Sequence, residues 1–377
     1  MAKLSYSIQE VEESMKDNSC ILDFSSRIYY KILTGRRGVI MHPSPGRFCI
    51  AFPLEGSKGR ICYRVWKEII PDAFTRYRFI DAGIKTSGLD YFAGMRFVPA
   101  ALRMKCDGTE VPGIVMDWVD GLTLDKFLQE KWNLQVDMQR LDFIREFYNM
   151  CYRLREAGMS HGDLSCQNIM VIKGNRIRLV DYDSVYVKDM GRNFYQTTGG
   201  ADSFQHPDRI KSTIPLYAGI DDDNFSQLVI AISLWVAYFN HSIVERYDES
   251  NLLFLPGDFD GLDGYERVRS LHNSYGWKEA SKHAASYLHL RTLLDALENG
   301  VKGSLNEVPS LLDFVTKDAI RAEHFYSALN EVGRKTPKIV KAAFCIACGN
   351  KFSNEDFMFC PSCGHKRYTY VADDIFK

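Results

Sequence analysis

The feature that most constrains the fold is the segment at 159–185, which reads MSHGDLSCQNIMVIKGNRIRLVDYDSV. Two short apolar runs flank the turn sequence KGN, so the segment predicts a tight β-hairpin. Asp163 and Asn168 precede the first strand, and Asp181 follows the second. Phosphoryl transfer from a Mg-nucleotide needs one carboxylate beside the acceptor hydroxyl and oxygen ligands on the metal. We therefore take Asp163, Asn168 and Asp181 as candidate catalytic residues, with Asn168 and Asp181 as candidate Mg²⁺ ligands.

Size and charge narrow the class of protein. A chain of 377 residues exceeds an ordinary single core and suits a two-lobed body with a small appendage. With 47 basic and 48 acidic residues the net charge is −1, which does not favour a nucleic-acid or membrane partner. The residues at 1–20 carry charges throughout and lack the apolar core of a secretory signal. We expect a cytoplasmic protein without disulfides.

The last four cysteines have the spacing of a zinc site. Cys345 and Cys348 form one CxxC pair, Cys360 and Cys363 form another, and 11 residues lie between the pairs. Four thiolates in this arrangement hold one tetrahedral Zn²⁺, as in a zinc ribbon. A site closed by four thiolates leaves no coordination position for water, so we expect the zinc to be structural or part of a docking module.

The rest of the chain divides into a β-rich part and a helical part. Before residue 119, β-branched and aromatic runs predict strands, including a hairpin formed by 47–53 and 60–66. Beyond it, apolar residues recur with the period of a helix. The charge-free stretch 224–244 predicts a helix buried on all sides rather than a membrane span. We therefore predict an α+β fold with a β-rich N-lobe at 1–118, a helical C-lobe at 119–330, a linker at 331–343 and a zinc ribbon at 344–370.

Two motifs resemble those of the protein-kinase fold, and the match covers 46–328. HGDLSCQN, which begins at His161, is similar to the kinase catalytic loop, and DYD, which begins at Asp181, is similar to its DFG triplet. The resemblance implies that Asp163 orients the acceptor hydroxyl or accepts its proton, while Asn168 and Asp181 bind Mg²⁺. It assigns His161 an architectural role.

Further segments extend the same resemblance. DNFS, which begins at Asp223, is similar to the start of the long buried kinase helix, whose aspartate holds the catalytic-loop backbone. The same residue can also serve as a helix N-cap. GIVMDWVDGLTL at 113–124 is similar to the strand and hinge that bind adenine, with Met116 as gatekeeper and main-chain contacts from Asp117 and Val119. The implied cofactors are ATP and Mg²⁺.

The clamp for the nucleotide phosphates departs from the family pattern. No GxGxxG is present, and only Gly46 lies where a phosphate-covering turn is expected. ICYR places Arg64 where the family has a lysine, and arginine presents a planar fork in place of a compact ammonium. Strand alternation puts Arg64 and Lys67 on opposite faces, and we favour Arg64 as the phosphate ligand. No glutamate of the next helix stands out as its partner, which leaves Asp72 and Asp81 as substitutes.

The acceptor side departs from a regulated kinase as well. Gly162 stands where such kinases carry an arginine that binds a phosphorylated activation loop. HGD occurs in atypical protein kinases and in small-molecule phosphotransferases, and Asp183 in place of the DFG glycine has the same implication. QHPDR at 205–209 takes the place of the motif that anchors the activation segment. Hydroxyl groups in this segment belong to Ser184, Tyr186, Tyr195, Thr197, Thr198 and Ser203.

Eight segments carry a closer resemblance, namely HPSPGRF, YRVW, TRYRFI, VMDWVDG, HGDLSCQNIMV, LVDYDSVYV, SFQHPDR and DDDNFS. They are similar to stand-alone bacterial kinases encoded beside a metal-dependent phosphatase and a von Willebrand-type protein in tellurium-resistance-like stress clusters. The resemblance implies phosphorylation of protein serine or threonine in a stress or defence setting. It names the phosphatase and the von Willebrand-type protein as candidate partners and leaves the protein substrate unknown.

Two other functions stay open from the sequence. A pseudokinase scaffold, which binds nucleotide and partners without efficient turnover, is suggested by Arg64, the missing glutamate and the missing glycine loop. A small-molecule phosphotransferase is suggested by HGD, although the extended segment that ends in QHPDR favours a protein acceptor. Stabilisation by Mg-ATP separates an enzyme from a scaffold that binds no nucleotide, because a bound ligand stabilises the folded state.

Overall fold

The structure is a computed structural model that describes most of the chain up to residue 322 and short stretches beyond it. The predicted α+β class is confirmed, with helices and antiparallel sheets in the described part of the chain. Six of the residues singled out from the sequence lie outside the described residues, namely Gly46, Thr198, Cys345, Cys348, Cys360 and Cys363. The described residues are 5–34, 49–68, 72–191, 194–197, 199–259, 284–322, 325, 339–341, 350–351, 361–362 and 369–371.

The N-terminal part is built around an antiparallel sheet. Its helices and strands are, in chain order, α1 (Ile8–Met15), α2 (Phe24–Tyr29), β1 (Tyr30–Ile32), β2 (Cys49–Gly56), β3 (Gly59–Trp66), α3 (Ala73–Ser87), β4 (Met95–Arg103) and β5 (Glu110–Asp117). The strands form one five-stranded sheet in the order β1-β2-β3-β5-β4. The hairpin predicted from the sequence is present as β2 and β3, which pair along their whole length.

The two faces of this sheet have different neighbours because side chains alternate along each strand. On the outer face, Phe52 and Tyr63 belong to the same buried cluster as Val11 of α1. On the inner face, Trp66 belongs to the larger cluster that extends into the helical part. The same alternation turns Arg64 inward, where it is only 6% exposed.

The remaining part of the chain is mainly helical. Its elements are β6 (Gly121–Thr123), α4 (Leu124–Glu130), α5 (Asp137–Glu156), β7 (Met159–Ser160), β8 (Ile169–Ile172), β9 (Arg176–Leu179), β10 (Tyr186–Val187), α6 (Pro207–Lys211), α7 (Asn224–Phe239), α8 (Ala284–Lys302), α9 (Lys317–Arg321), β11 (Ile339–Lys341) and β12 (Thr369–Val371). The predicted buried helix is present as α7, in which every side chain from Asn224 to Tyr238 is buried. None of the described helices has both the length and the apolar character needed to cross a membrane.

The hairpin predicted at 159–185 is present as β8 and β9, which pair antiparallel. Three residues, 173–175, connect the paired ends of the strands, and Gly174 and Asn175 have φ values of 80° and 55°, in the left-handed region that glycine and asparagine adopt most readily. The N–H of Leu179 donates a hydrogen bond to the carbonyl oxygen of Tyr91 at 2.7 Å. The hairpin therefore lies where the β-rich and helical parts meet.

Candidate functional site

The candidate catalytic loop at 161–168 is held by buried charged side chains. Asp223 at the start of α7 accepts hydrogen bonds from the main-chain N–H of His161 at 2.5 Å and of Gly162 at 2.8 Å. A guanidinium N–H of Arg209 donates to the carbonyl oxygen of Gly162. The side chain of Asp223 makes no N-cap hydrogen bond to α7. Its two oxygens are therefore used to hold the loop rather than to cap the helix.

Asn168 and His161 tie this loop to the hairpin. The Nδ2 of Asn168 donates to the carbonyl oxygen of Asp163 at 2.7 Å, and the Asn168 carbonyl accepts from the N–H of Val180 at 3.0 Å. The Nε2 of His161 donates to the Val180 carbonyl at 2.9 Å. Because the amide nitrogen of Asn168 is engaged, its amide oxygen is the side-chain atom left for a metal ion.

Asp163 lies half-buried beside the segment that precedes α6. Its Oδ1 accepts a hydrogen bond from the N–H of Ala201 at 3.3 Å. Burial raises the pKa of Asp163, and the negative charge of Asp181 raises it further. The neighbouring His161 and Arg209 oppose this rise in pKa. A carboxylate with a raised pKa is a better proton acceptor, which suits the role predicted for Asp163.

Arg64 connects β3 to the end of the hairpin. Its Nη2 lies 2.7 Å from Asp181 Oδ1 and 3.1 Å from Asp183 Oδ2. Its Nε and Nη2 lie 3.2 and 2.8 Å from Cys49 Sγ. The remaining nitrogen, Nη1, is buried and has no hydrogen-bond partner among the described residues. Lys67, the alternative cation, lies beyond the end of β3, so the structure brings Arg64 to the candidate catalytic residues.

Asp181 has the properties of an ionised metal ligand. Its side chain is 41% exposed, and its φ of 66° lies in the left-handed region that costs a non-glycine residue conformational energy. Burial acts to raise the pKa of Asp181, but the charge and hydrogen bond of Arg64 outweigh this effect and lower it. Mg²⁺ prefers such carboxylate and amide oxygens, here those of Asp181 and Asn168. Within the described residues no group of three or more His, Cys, Asp or Glu could hold a metal ion.

Asp183 is buried and joins Arg64 to α3. One of its oxygens pairs with Arg64, and the other accepts a hydrogen bond from the hydroxyl of Tyr77 on α3. Burial raises the pKa of Asp183, and the charge of Asp181 adds to the rise, while Arg64 and Tyr77 oppose it. Sequence reasoning noted Asp183 as a departure from the family pattern but missed Tyr77 entirely.

The expectation that Asp72 or Asp81 pairs with Arg64 is wrong. Asp81 pairs with Lys85 at 2.6 Å, and Asp72 is exposed at the N-terminus of α3. Helical periodicity is the signal that could have found the true partner, because Tyr77 lies on the face that α3 buries. The buried positions of α3 are Ala73, Arg76, Tyr77 and Ile80.

The strand and hinge predicted to bind adenine end beside this site. Met116 on β5 is 4% exposed and pairs with Cys62 on β3. The N–H of Asp117 donates to the carbonyl oxygen of Gly94 at 2.9 Å. In the described part of the chain the main chain of Val119 makes no hydrogen bond. Val119 is therefore better placed than Asp117 to donate a main-chain hydrogen bond to a ligand.

The segment between Asp183 and α6 is anchored to both parts of the protein. The hydroxyls of Ser184 and Thr197 lie 2.8 Å apart, and Thr197 also donates to the carbonyl oxygen of Asp183 at 3.1 Å. Arg76 on α3 is 5% exposed and donates to the carbonyl oxygen of Tyr195. This part of the activation segment is thus held by side chains of α3 and by its own hydroxyls.

No protein-family model matches the chain, and no curated protein matches it.

Gly162 allows a stability prediction with a matched control. Gly162 has φ 76°, and a Cβ added there would lie 2.2 Å from the carbonyl oxygen of Ser184, whereas Gly174 has φ 80° and nothing within 4 Å. Gly174→Ala should lower the free energy of unfolding by about 1–2 kcal/mol through backbone strain alone. Gly162→Ala adds overlap with main-chain atoms and should lower it by about 3 kcal/mol or more in urea denaturation. Equal losses in the two variants would contradict the close packing at Gly162.

Proposed function

We propose that the protein is an atypical Mg-ATP-dependent serine/threonine protein kinase of bacterial stress or defence signalling, located in the cytoplasm. The observation that carries the proposal is that Arg64, Asp181 and the loop at 161–168, which Asp223 and Arg209 hold, come together at the junction of the β-rich and helical parts. A cation, an ionised carboxylate, an amide oxygen and a proton acceptor are the groups that transfer of a γ-phosphoryl group requires.

Different residues at the junction of the β-rich and helical parts would bind different parts of the nucleotide. The main chain of Val119 would bind the edge of adenine, and the guanidinium of Arg64 would pair with phosphate oxygens. The amide oxygen of Asn168 and the carboxylate of Asp181 would hold Mg²⁺. A Mg²⁺ ion held there would supply positive charge to neutralise the transferred phosphoryl group.

Asp163 acts on the acceptor hydroxyl. Its Oδ1 is fixed by the N–H of Ala201, so its other oxygen can accept the proton of a serine or threonine hydroxyl. The raised pKa of Asp163, caused first by burial and then by the charge of Asp181, favours proton acceptance in the transition state. The carboxylate would thereby orient the hydroxyl and take its proton as the hydroxyl oxygen bonds to the γ-phosphorus and the bond from that phosphorus to the leaving ADP breaks.

The surface of the activation segment favours a protein acceptor over a small molecule. Tyr195 is 47% exposed and stacks on Tyr217, which is 56% exposed, with 4.6 Å between the ring centroids. Ile214, three residues before Tyr217 in the chain, is 71% exposed. Exposed aromatic and aliphatic side chains of this kind bind extended polypeptide.

A pseudokinase scaffold is the second candidate, and one observation favours it. Asp181, the proposed metal ligand, is engaged by Arg64 at 2.7 Å. Binding of Mg-ATP has to replace this ion pair by contacts with the metal and the phosphates. A protein in which the pair persisted would keep the architecture of the site without turnover.

Removal of the proposed proton acceptor tests the kinase function. Asp163→Ala should lower the rate of phosphoryl transfer by about 10²–10⁴ because the acceptor hydroxyl loses its general base. Nucleotide binding should persist, since Asp163 does not hold the phosphates. The first measurement is incorporation of labelled phosphate into protein. The second is the rise in melting temperature caused by Mg-ATP, which reflects a stabilisation of about 2.7 kcal/mol when the Mg-ATP concentration is 100 times its dissociation constant.

The control is Asp189→Ala, which removes an exposed carboxylate outside the site and should leave the rate unchanged. An Asp163→Ala protein with the rate of the unmodified protein would contradict the assignment. A rate of zero in the unmodified protein, with or without a thermal shift, would favour the scaffold.

We also propose a structural zinc ribbon at 344–370, supported by the spacing of its two CxxC pairs. The purified protein should contain about one zinc per chain, and Cys345→Ser combined with Cys348→Ser should abolish it. Cys106→Ser, which changes an exposed cysteine of the β-rich part, should retain the metal. Chelation should remove zinc without changing the thermal unfolding of the kinase-like body. Zinc retained by the double variant in metal analysis would disprove the ribbon.

A further inference from the structure

Arg64 is held by a carboxylate that lies outside α3. The hydroxyl of Tyr77 on α3 donates to one oxygen of Asp183, and the other oxygen pairs with Arg64 Nη2 at 3.1 Å. Tyr77 is 1% exposed. The helix therefore reaches the guanidinium through a buried side chain of the segment that follows β9.

The two carboxylates on Arg64 differ in how firmly they are held. The side chain of Asp183 is 10% exposed and has donors on both of its oxygens. Its carbonyl oxygen also accepts from the hydroxyl of Thr197 at 3.1 Å. The side chain of Asp181 is 41% exposed. Asp183 is thus built into the interior, whereas Asp181 has one side open to solvent and to a ligand.

The shape of the guanidinium explains why arginine fits here. Nη2 lies 2.7 and 3.1 Å from the two carboxylates, and Nε reaches the Sγ of Cys49 at 3.2 Å, a second direction that the point charge of a lysine ammonium does not supply. Two nitrogens of Arg64 make these contacts, and Nη1 has no partner among the described residues. A buried unpaired donor is destabilising. An anionic oxygen next to Nη1 would accept its hydrogen bond and remove this destabilisation.

We propose that Asp183 and Tyr77 form the positioning pair of Arg64, which would keep the guanidinium in place to pair with the phosphates of Mg-ATP while Asp181 served as a ligand of Mg²⁺. The proposal rests on the proposed function, because it concerns the binding of the nucleotide phosphates. Neither residue touches the reacting atoms. Asp183 pairs with Arg64 and positions it, the role that the sequence predicted for an acidic residue of α3.

The test removes one hydroxyl and compares two ligands by calorimetry. Tyr77→Phe should weaken the affinity for Mg-ATP by about tenfold, because Asp183 loses a charge-assisted hydrogen bond and Arg64 is positioned less well. The affinity for adenosine, which has no phosphates, should be unchanged. Tyr63→Phe is the matched control, since its buried hydroxyl donates to the Ala101 carbonyl at 2.7 Å on the opposite face of the same sheet. It should leave both affinities unchanged.

A second variant, Asp183→Asn, keeps the shape of the side chain and removes its charge. It should also weaken binding of Mg-ATP and leave binding of adenosine unchanged. Normal Mg-ATP affinity in Tyr77→Phe and Asp183→Asn would overturn the positioning pair while leaving the proposed function intact. Equal loss of adenosine and Mg-ATP affinity in Tyr77→Phe would indicate a structural role only and would also overturn it. Absence of Mg-ATP binding in the unmodified protein would overturn the proposed function and, with it, this inference.

Discussion

The ion pairs of Arg64 with Asp181 and Asp183, at 2.7 and 3.1 Å, are the interaction on which the rest of the candidate site depends. A guanidinium that is 6% exposed has to be paired, because an isolated buried charge is strongly destabilising. Its two partners follow the β8–β9 hairpin, so the pairing joins the sheet to the helical part. Tyr77 brings α3 to the same place through Asp183. One buried cation and the groups that neutralise it therefore join the sheet, α3 and the hairpin.

The loop at 161–168 is shaped by a second set of buried contacts. Asp223 and Arg209 hold the main chain around Gly162, which has φ 76° and packs against the main chain of Ser184. An arginine at this position, as in regulated kinases, would meet both backbone strain and overlap. The segment after Asp183 is held instead by Arg76 of α3 and by its own hydroxyls. These contacts hold the described residues of this segment without an arginine at position 162.

Local patterns in the sequence predicted the local parts of this architecture. The turn residues of the hairpin, the uninterrupted apolar run of α7 and the period of two along β3 each follow from short stretches of chain. The inward direction of the Arg64 side chain therefore follows from the alternation of side chains along β3 alone. The groups that hold Arg64 do not follow from the local sequence, because Tyr77 and Asp183 are 106 residues apart and only the packing of α3 brings them together. The acidic residues predicted to pair with Arg64, Asp72 and Asp81, lie off the buried face of α3. The zinc ribbon stays a prediction from cysteine spacing.

The most direct test of the central claim is a crystal structure of the protein with Mg²⁺ and a non-hydrolysable ATP analogue. The proposed function predicts a guanidinium nitrogen of Arg64 within about 3 Å of a phosphate oxygen. It also predicts Asp181 and Asn168 on Mg²⁺ at about 2.1 Å, with Asp183 still paired to Arg64. Nucleotide bound elsewhere, or Asp181 still paired to Arg64 with no metal beside it, would contradict the assignment of Asp163, Asn168 and Asp181 to Mg-phosphate chemistry.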